Sequence, residues 1–248
     1  MGKTLRLLML AVISFLVFFV MQFPMAQLVS WVQGDADQLR SANMEGSVWS
    51  GQVDKLQYKD IMLGPVVWQL QPLALLTGAI EYKVFFQTPD GGGELLLGRH
   101  LSGDFYLQDV QALLGTQFIN QQFPLVKLAG TLQLDIQALV FSDALVQQLE
   151  GRIIWQEAVM QRPFLVPLKQ IQMDLGTDEK DVLAAIKDVD GTLDVDIDLT
   201  LNKLSNSYQL KGSVKPRKSA DANLRETLSM LGRPDRAGRY VIQYSGKL

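Results

Sequence analysis

The stretch Gly191-Thr192-Leu193-Asp194-Val195-Asp196-Ile197-Asp198-Leu199-Thr200-Leu201 decides the fold class. From Thr192 onward it alternates without a break, five apolar side chains on one side and five polar ones on the other. A period of two with one polar face is the signature of a half-buried antiparallel strand. The same alternation runs through Gly130-Thr131-Leu132-Gln133-Leu134-Asp135-Ile136, through Ile80, Tyr82, Val84 and Phe86, and through Tyr240, Ile242 and Tyr244. Gly46, Gly64, Gly78, Gly103, Gly130, Gly151 and Gly191 each precede such a segment. Glycine there supplies the positive φ that turns between strands need. Asp188-Val189-Asp190-Gly191 reads as one such hairpin turn. Residues 40–248 are therefore expected to be mainly β, as extended antiparallel sheet.

Helical signals are few. Leu73 to Leu76, after Pro72, fits a single turn, and Asp109 to Leu114 another short helix. The longest expected helix beyond the N-terminal region is Ala222 to Leu231. Asp221 stands at its N-cap, Leu224, Leu228 and Leu231 form one apolar face, and Gly232 and Pro234 end it.

Composition removes most function classes. Of 248 residues, 48% are hydrophobic and 20% charged, too apolar for a disordered chain. The net charge of −3 gives no basic excess for a phosphate backbone, so no nucleic-acid partner is expected. There is no cysteine and a single histidine, His100. Thiolate sites, disulfides and His-rich metal clusters are thereby excluded, and no cofactor or metal ligand set is expected. A Ser-His-Asp arrangement would have to use His100, and no G-x-S-x-G elbow accompanies it. No catalytic residue is assigned, and the chain is expected not to be an enzyme.

The N-terminus has another character. Lys3 and Arg6 precede an uncharged run from Leu7 to Phe23, which includes Leu7, Phe15 and Phe19. A basic segment followed by an apolar one is the layout of an export signal. The residues at its exit, Gln22-Phe23-Pro24-Met25-Ala26, are bulky where a signal peptidase needs small ones. At a rise of ~1.5 Å per residue, the run nearly spans a hydrocarbon core of ~30 Å. Residues 1–24 are thus expected to be a cytoplasmic stub and an uncleaved transmembrane anchor, with a cleaved signal peptide as the alternative. The flanking charges are expected to keep the N-terminus in the cytoplasm, with everything from about residue 25 onward exported across the membrane. Residues 25–39 are expected to be a membrane-proximal connector, helical from Gln27 to Val32, with Trp31 at headgroup level or, alternatively, in helix packing. Residues 40–248 form the exported domain.

Signposts recur in the same order along that domain. Gly46-Ser47-Val48-Trp49 is echoed by Gly151-Arg152-Ile153-Ile154-Trp155, Leu101-Ser102-Gly103 by Leu210-Lys211-Gly212, and Leu113-Leu114-Gly115 by Met230-Leu231-Gly232. Two similar halves, 46–140 and 151–248, would account for this, and chance alignment of glycine-plus-strand patterns is the alternative.

Gly46-Ser47-Val48-Trp49-Ser50-Gly51 resembles the G-T-L-W-x-G segment of the protein N family of the type II secretion system. The likeness continues through Leu63-Gly64-Pro65-Val66-Val67-Trp68-Gln69-Leu70-Gln71-Pro72-Leu73-Ala74-Leu75-Leu76-Thr77-Gly78, and returns at Leu228-Ser229-Met230-Leu231-Gly232-Arg233-Pro234-Asp235. The resemblance implies an accessory inner-membrane subunit of the machine that exports folded proteins across the outer membrane. Its partners would be other inner-membrane subunits and inner-membrane lipid, and it brings no catalytic motif.

Candidate contact residues are Trp49, Trp68, Asp194, Asp196 and Asp198. For the tryptophans, Trp155 included, packing in the core or at the edge of a sheet is the plainer reading. The aspartates sit on one strand face ~7 Å apart, from a rise of ~3.4 Å per residue. Their repulsion can be relieved by a cation, a basic partner or lysines across the strand. A flat ladder gathers oxygen ligands poorly, so a solvated face is the plain reading. Gly91-Gly92-Gly93, after Pro89-Asp90, reads as a loop tip, and Lys211, Lys215, Arg217 and Lys218 as a solvated basic patch. The competing function is a periplasmic lipid-handling or envelope-biogenesis module, since alternating strands can line an apolar groove; otherwise no small-molecule ligand is expected. Whether the apolar strand faces are closed or left open separates the two. N-terminal sequencing of the mature protein tests the anchor: a start at Met1 or Gly2 is expected, and a start at or near Gln27 contradicts it.

Overall fold

The structure, a computed structural model, describes residues 39–247 except 59–60, 123–124, 143–144, 163–164, 206, 221 and 231. The expected anchor with Leu7, Phe15 and Phe19, and the connector up to residue 38, lie outside the described residues. Among the described residues no helix is long and apolar enough to cross a membrane. The expected antiparallel β architecture is found, in two compact units that divide between Pro89 and Asp90.

The first unit holds β1 (Leu39–Gly46), β2 (Ser50–Tyr58), β3 (Ile61–Leu63), β4 (Val66–Leu70) and β5 (Ala79–Thr88). β2 lies between β1 on one side and β3 and β4 on the other, and β4 pairs with β5, all antiparallel. Gly64 and Pro65 separate β3 from β4; the Gly64 N–H donates to the Gln87 carbonyl and the Pro65 carbonyl accepts from the Gln87 N–H. Proline has no N–H to give a ladder, so the strand is interrupted there. A 3₁₀ helix, Pro72–Thr77, stands where a single turn was expected, closed by Gly78 in the left-handed region. Registers Val53↔Val66, Val66↔Phe86 and Trp68↔Val84 bring one apolar face together. Val53, Val66 and Trp68 are buried, with Tyr82, Val84 and Phe86 against them.

The second unit is a meander in which each strand pairs antiparallel with the next. Its strands are β6 (Gly91–His100), β7 (Phe105–Gly115), β8 (Lys127–Ser142), β9 (Leu145–Arg162), β10 (Val166–Thr177), β11 (Asp181–Asp188), β12 (Leu193–Asn202), β13 (Ser207–Pro216) and β14 (Tyr240–Lys247). Two helices accompany them, α1 (Gln117–Gln122) and α2 (Ala222–Ser229). The deciding stretch forms β12 as expected. Leu193 and Val195 are buried, Ile197 is half-buried, and Asp196 and Asp198 are exposed. The turn before it is held by Asp188, whose carboxylate accepts the Gly191 N–H at 3.1 Å and the Val195 N–H at 2.8 Å.

Three expectations are corrected. Asp109 to Leu114 is strand, part of β7, because Val110 and Ala112 turn inward while Gln111 and Leu113 turn outward. Asp109 itself sits at φ +49, at a register shift between β6 and β7. The helix comes later, as α1, fixed by Asn120: its side chain donates to the Leu128 carbonyl and accepts the Leu128 N–H. Gly91-Gly92-Gly93 is the start of β6, not a loop tip; a Cβ on Gly93 would meet Ala112 and Gln111 of β7 at 2.6 Å. Gly130 and Gly151 lie inside β8 and β9 rather than before strands.

α2 is the longest helix among the described residues and ends at Ser229, two residues short of the expected Leu231. Leu224 is 3% and Leu228 5% exposed, both packed in the cluster that includes Trp155, Ile171, Val195 and Val214. Leu228→Ala is expected to destabilise the protein by ~2–3 kcal/mol, the low end for a buried leucine, because the space beside it is already incompletely filled. Urea unfolding measures it; a change below ~1 kcal/mol would place Leu228 outside the core.

Candidate functional site

The aspartates of β12 have lysines opposite them. Asp194 faces Lys215 and Asp198 faces Lys211 on β13, and Asp196 faces Lys187 on β11. Directly opposed residues in an antiparallel pair stand with Cβ atoms ~4.5–5.5 Å apart, and opposite charges there contribute roughly 0.2–1 kcal/mol. The ladder is thus relieved from within the sheet. Farther along the same face, Arg152 Nε donates to Asp174 at 2.6 Å. That bond, with one from Gln172, holds the Asp174 carboxyl below the usual carboxylate range. Among the described residues no group of three or more His, Asp or Glu is placed to hold a metal ion.

The sequence reading missed one ion pair. Arg217 Nη2 lies 2.8 Å from Asp188, whose side chain is 2% exposed, and 4.0 Å from Asp194. Arg217 had been grouped with a solvated patch, but it neutralises the carboxylate that shapes the β11–β12 turn. Nothing local in the sequence links residues separated by two strands.

Trp68 and Trp155 repeat one construction. Trp68 is 7% exposed and its indole N–H donates to the Ser47 carbonyl at 2.9 Å. Trp155 is 8% exposed and donates to the Ala129 carbonyl at 3.1 Å. Each carbonyl adjoins or lies next to a glycine of positive φ, Gly46 at +107 and Gly130 at +114. A Cβ on Gly130 would stand 2.9 Å from the Trp155 nitrogen, so the bulge must be glycine for the indole to reach. Trp49 is half-buried in the β1–β2 turn, where its N–H donates to the Ser47 hydroxyl and its carbonyl accepts the Leu70 N–H. His100 is exposed at the end of β6, with its ring 4.8 Å from that of Tyr106.

The concave feature of the second unit is an apolar cavity of about 420 Å³ between α2 and the inner face of β9–β14. Met173, Ile186, Ile197 and Ile242 form its floor from β10, β11, β12 and β14. They lie in one register row: Met173↔Ile186, Ile186↔Ile197, Ile197↔Gly212 and Gly212↔Ile242. Gly212 gives that row no side chain, and a Cβ there would meet the Ile197 Cα at 2.5 Å. α2 roofs the floor with Leu224 and Leu228, and Thr227 is the one polar residue in the lining. Met230 also lines the cavity yet is 68% exposed, which marks the mouth. Beyond it the segment 232–239 carries exposed Arg233, Arg236 and Arg239. Its acid, Asp235, accepts the N–H of Arg239 at 2.9 Å and of Ala237 at 2.8 Å, which hold its carboxyl below the usual range. The inner face is therefore neither fully closed nor fully open. The register of the strands was the signal for it: the cavity floor is the apolar side of the alternation already visible in Ile197 and Ile242.

Trp68→Ala and Trp155→Ala are each expected to destabilise by ~3–5 kcal/mol, from lost burial and an unpaired carbonyl. Trp49→Ala should cost much less. Denaturant midpoints of the three variants check this ordering.

The family described as type II secretion system (T2SS), protein N, matches residues 37–243. The chain is 28% identical over 218 residues to the type II secretion system protein N of Vibrio cholerae, with 85% of each chain covered. It is 24% identical over 246 residues to that of Aeromonas hydrophila, covering 96% of each, and 23% identical over 221 residues to that of Klebsiella pneumoniae, covering 86% and 84%. No solved structure matches the chain significantly.

Proposed function

The chain belongs to the type II secretion system protein N family, and from that membership we propose that it serves secretion as an accessory inner-membrane component that acts by binding, without catalysis. The observation that carries this reading is the family match over residues 37–243. The apolar run Leu7–Phe23 supports a single-pass anchor with its N-terminus in the cytoplasm and the β-rich bulk in the periplasm. An anchor raises the effective concentration of that bulk beside other anchored subunits, so each contact can be weak on its own. The surroundings of His100 favour binding over chemistry: its ring lies against Tyr106 and its backbone is tied into a turn with Asp104 and Gly103.

Sheet edges suit contacts with other subunits. In the second unit β14 pairs with β13 and ends the strand order, with Val241 and Tyr244 exposed. An edge strand offers unpaired N–H and C=O groups that a partner's strand can complete. Trp49, on its half-exposed turn, remains a proposed side-chain contact, and Trp68 would act through the packing beneath that turn; the aspartates of β12, matched by lysines of the same sheet, are proposed as a solvated face rather than a required contact.

Secretion of a reporter exoprotein, in cells whose sole copy is the variant, tests the reading. His100→Ala and the triple change of Asp194, Asp196 and Asp198 to Asn should leave secretion largely intact. Replacing residues 1–24 by a cleavable signal should impair it while the protein stays folded and abundant. Loss of secretion on His100→Ala alone, at normal abundance and fold, would overturn a role by binding.

A further inference from the structure

The cavity under α2 has a chemistry that secretion-system membership does not account for. Its volume, about 420 Å³, falls in the ~300–1,000 Å³ range of small-ligand pockets. Protein interiors hold few voids larger than a water molecule, so a space of this size is not ordinary packing slack. Water does not fill it well: an ordered water needs ~2–4 polar partners, and Thr227 is the one polar residue of the lining. A ligand bearing hydrogen-bonding groups along its length would leave them unpaired there. What the lining accepts is hydrocarbon.

The shape narrows the ligand further. The row from Met173 through Ile186 and Ile197 to Ile242 crosses from β10 to β14. Four inter-strand steps of ~4.8 Å make that floor roughly 19 Å long. A long floor under a narrow helical roof fits an unbranched chain better than a compact ring. Charge close to the mouth along the chain suits the other end of the ligand. Exposed Met230 is followed three and six residues later by the exposed Arg233 and Arg236. Asp235 is engaged by the loop's own amides, and Arg233 and Arg236 have no ion-pair partner among the described residues. Guanidinium groups pair well with phosphate oxygens.

We propose that this cavity binds one acyl chain of an anionic phospholipid, with the lipid's phosphate held at the mouth by Arg233 and Arg236. The acyl chain lies along the row of Met173, Ile186, Ile197 and Ile242, beneath Leu224 and Leu228. The site takes its ligand from the membrane surface and works independently of which secretion subunits the protein touches.

Cells making the full-length chain are fed a palmitic acid that carries a diazirine in its tail and a terminal alkyne, so that it enters their phospholipids. After irradiation the chain is purified, and its lipid adducts are mapped by mass spectrometry. Adducts are expected on peptides containing Met173, Ile197, Leu228 or Met230. Ile197→Trp, which fills the floor, should lower them at least ten-fold and leave adducts within residues 1–38 unchanged. Circular dichroism confirms that this variant is folded. Arg233→Gln with Arg236→Gln, on exposed positions that cannot disturb the core, should lower them at least three-fold. Adducts confined to residues 1–38 overturn the proposal, as does equal labelling of the cavity peptides in Ile197→Trp. A cavity filled by a polypeptide partner gives no lipid adduct there and overturns it as well. Reporter secretion, measured in the same strains, separates failure of this site from failure of the secretion role.

Discussion

Strand register governs the second unit. Side chains alternate with a period of two, so pairing that holds step over five consecutive strands keeps every apolar residue of Met173, Ile186, Ile197 and Ile242 on one face. The same pairing sets Asp196 against Lys187 and Asp194 against Lys215 on the other. A slip of one residue in β12 would bury three carboxylates and expose Leu193 and Val195 together. The apolar floor and the charge-matched outer face are two readings of one constraint, and neither can shift without the other.

At one of the register shifts, glycine and tryptophan stabilise the irregularity. β8 and β9 lose step around Gly130, and there the Trp155 indole donates to the Ala129 carbonyl. A bulge leaves backbone groups off the ladder, and a buried carbonyl without a donor is costly. Trp155 thus supplies both bulk for the core and the missing donor. Trp68 does the same for the Ser47 carbonyl next to Gly46 in the first unit. The indole is suited to this because it combines a large apolar body with a single N–H. The echo between Gly46–Trp49 and Gly151–Trp155 in the sequence pointed at these residues, but the structural parallel pairs Trp68 with Trp155.

Much of the fold was legible because it rests on local alternation. β12, the Asp188 turn, the turn after Pro72 and the apolar face of α2 all follow from spacing within about ten residues. The errors arose where spacing was ambiguous. Asp109–Leu114 contains apolar residues at both helical and strand intervals, and its pairing with β8 decided the matter. Three successive glycines signal a loop when read alone, yet the close approach of Ala112 gives Gly93 a place in a strand. The site was legible only by half. Alternation announced an apolar face, but the depth of the cavity depends on how α2 sits over it. The Arg217–Asp188 pair depends on contacts across a sheet, which no local pattern encodes.

The meander order of the second unit also bears on how it forms. Every strand from β7 to β13 pairs with its predecessor and its successor in the chain. Contacts are therefore unusually local for an all-β protein, and the entropy of closing each loop stays small. A chain emerging from a narrow passage in an extended state can add one strand at a time to the growing edge, without waiting for its far end. The exception is α2, which lies between β13 and β14 yet packs on Trp155 and Ile171, contributed by much earlier strands. A sheet of this order can form hairpin by hairpin, whereas docking that helix needs residues from strands far back in the chain.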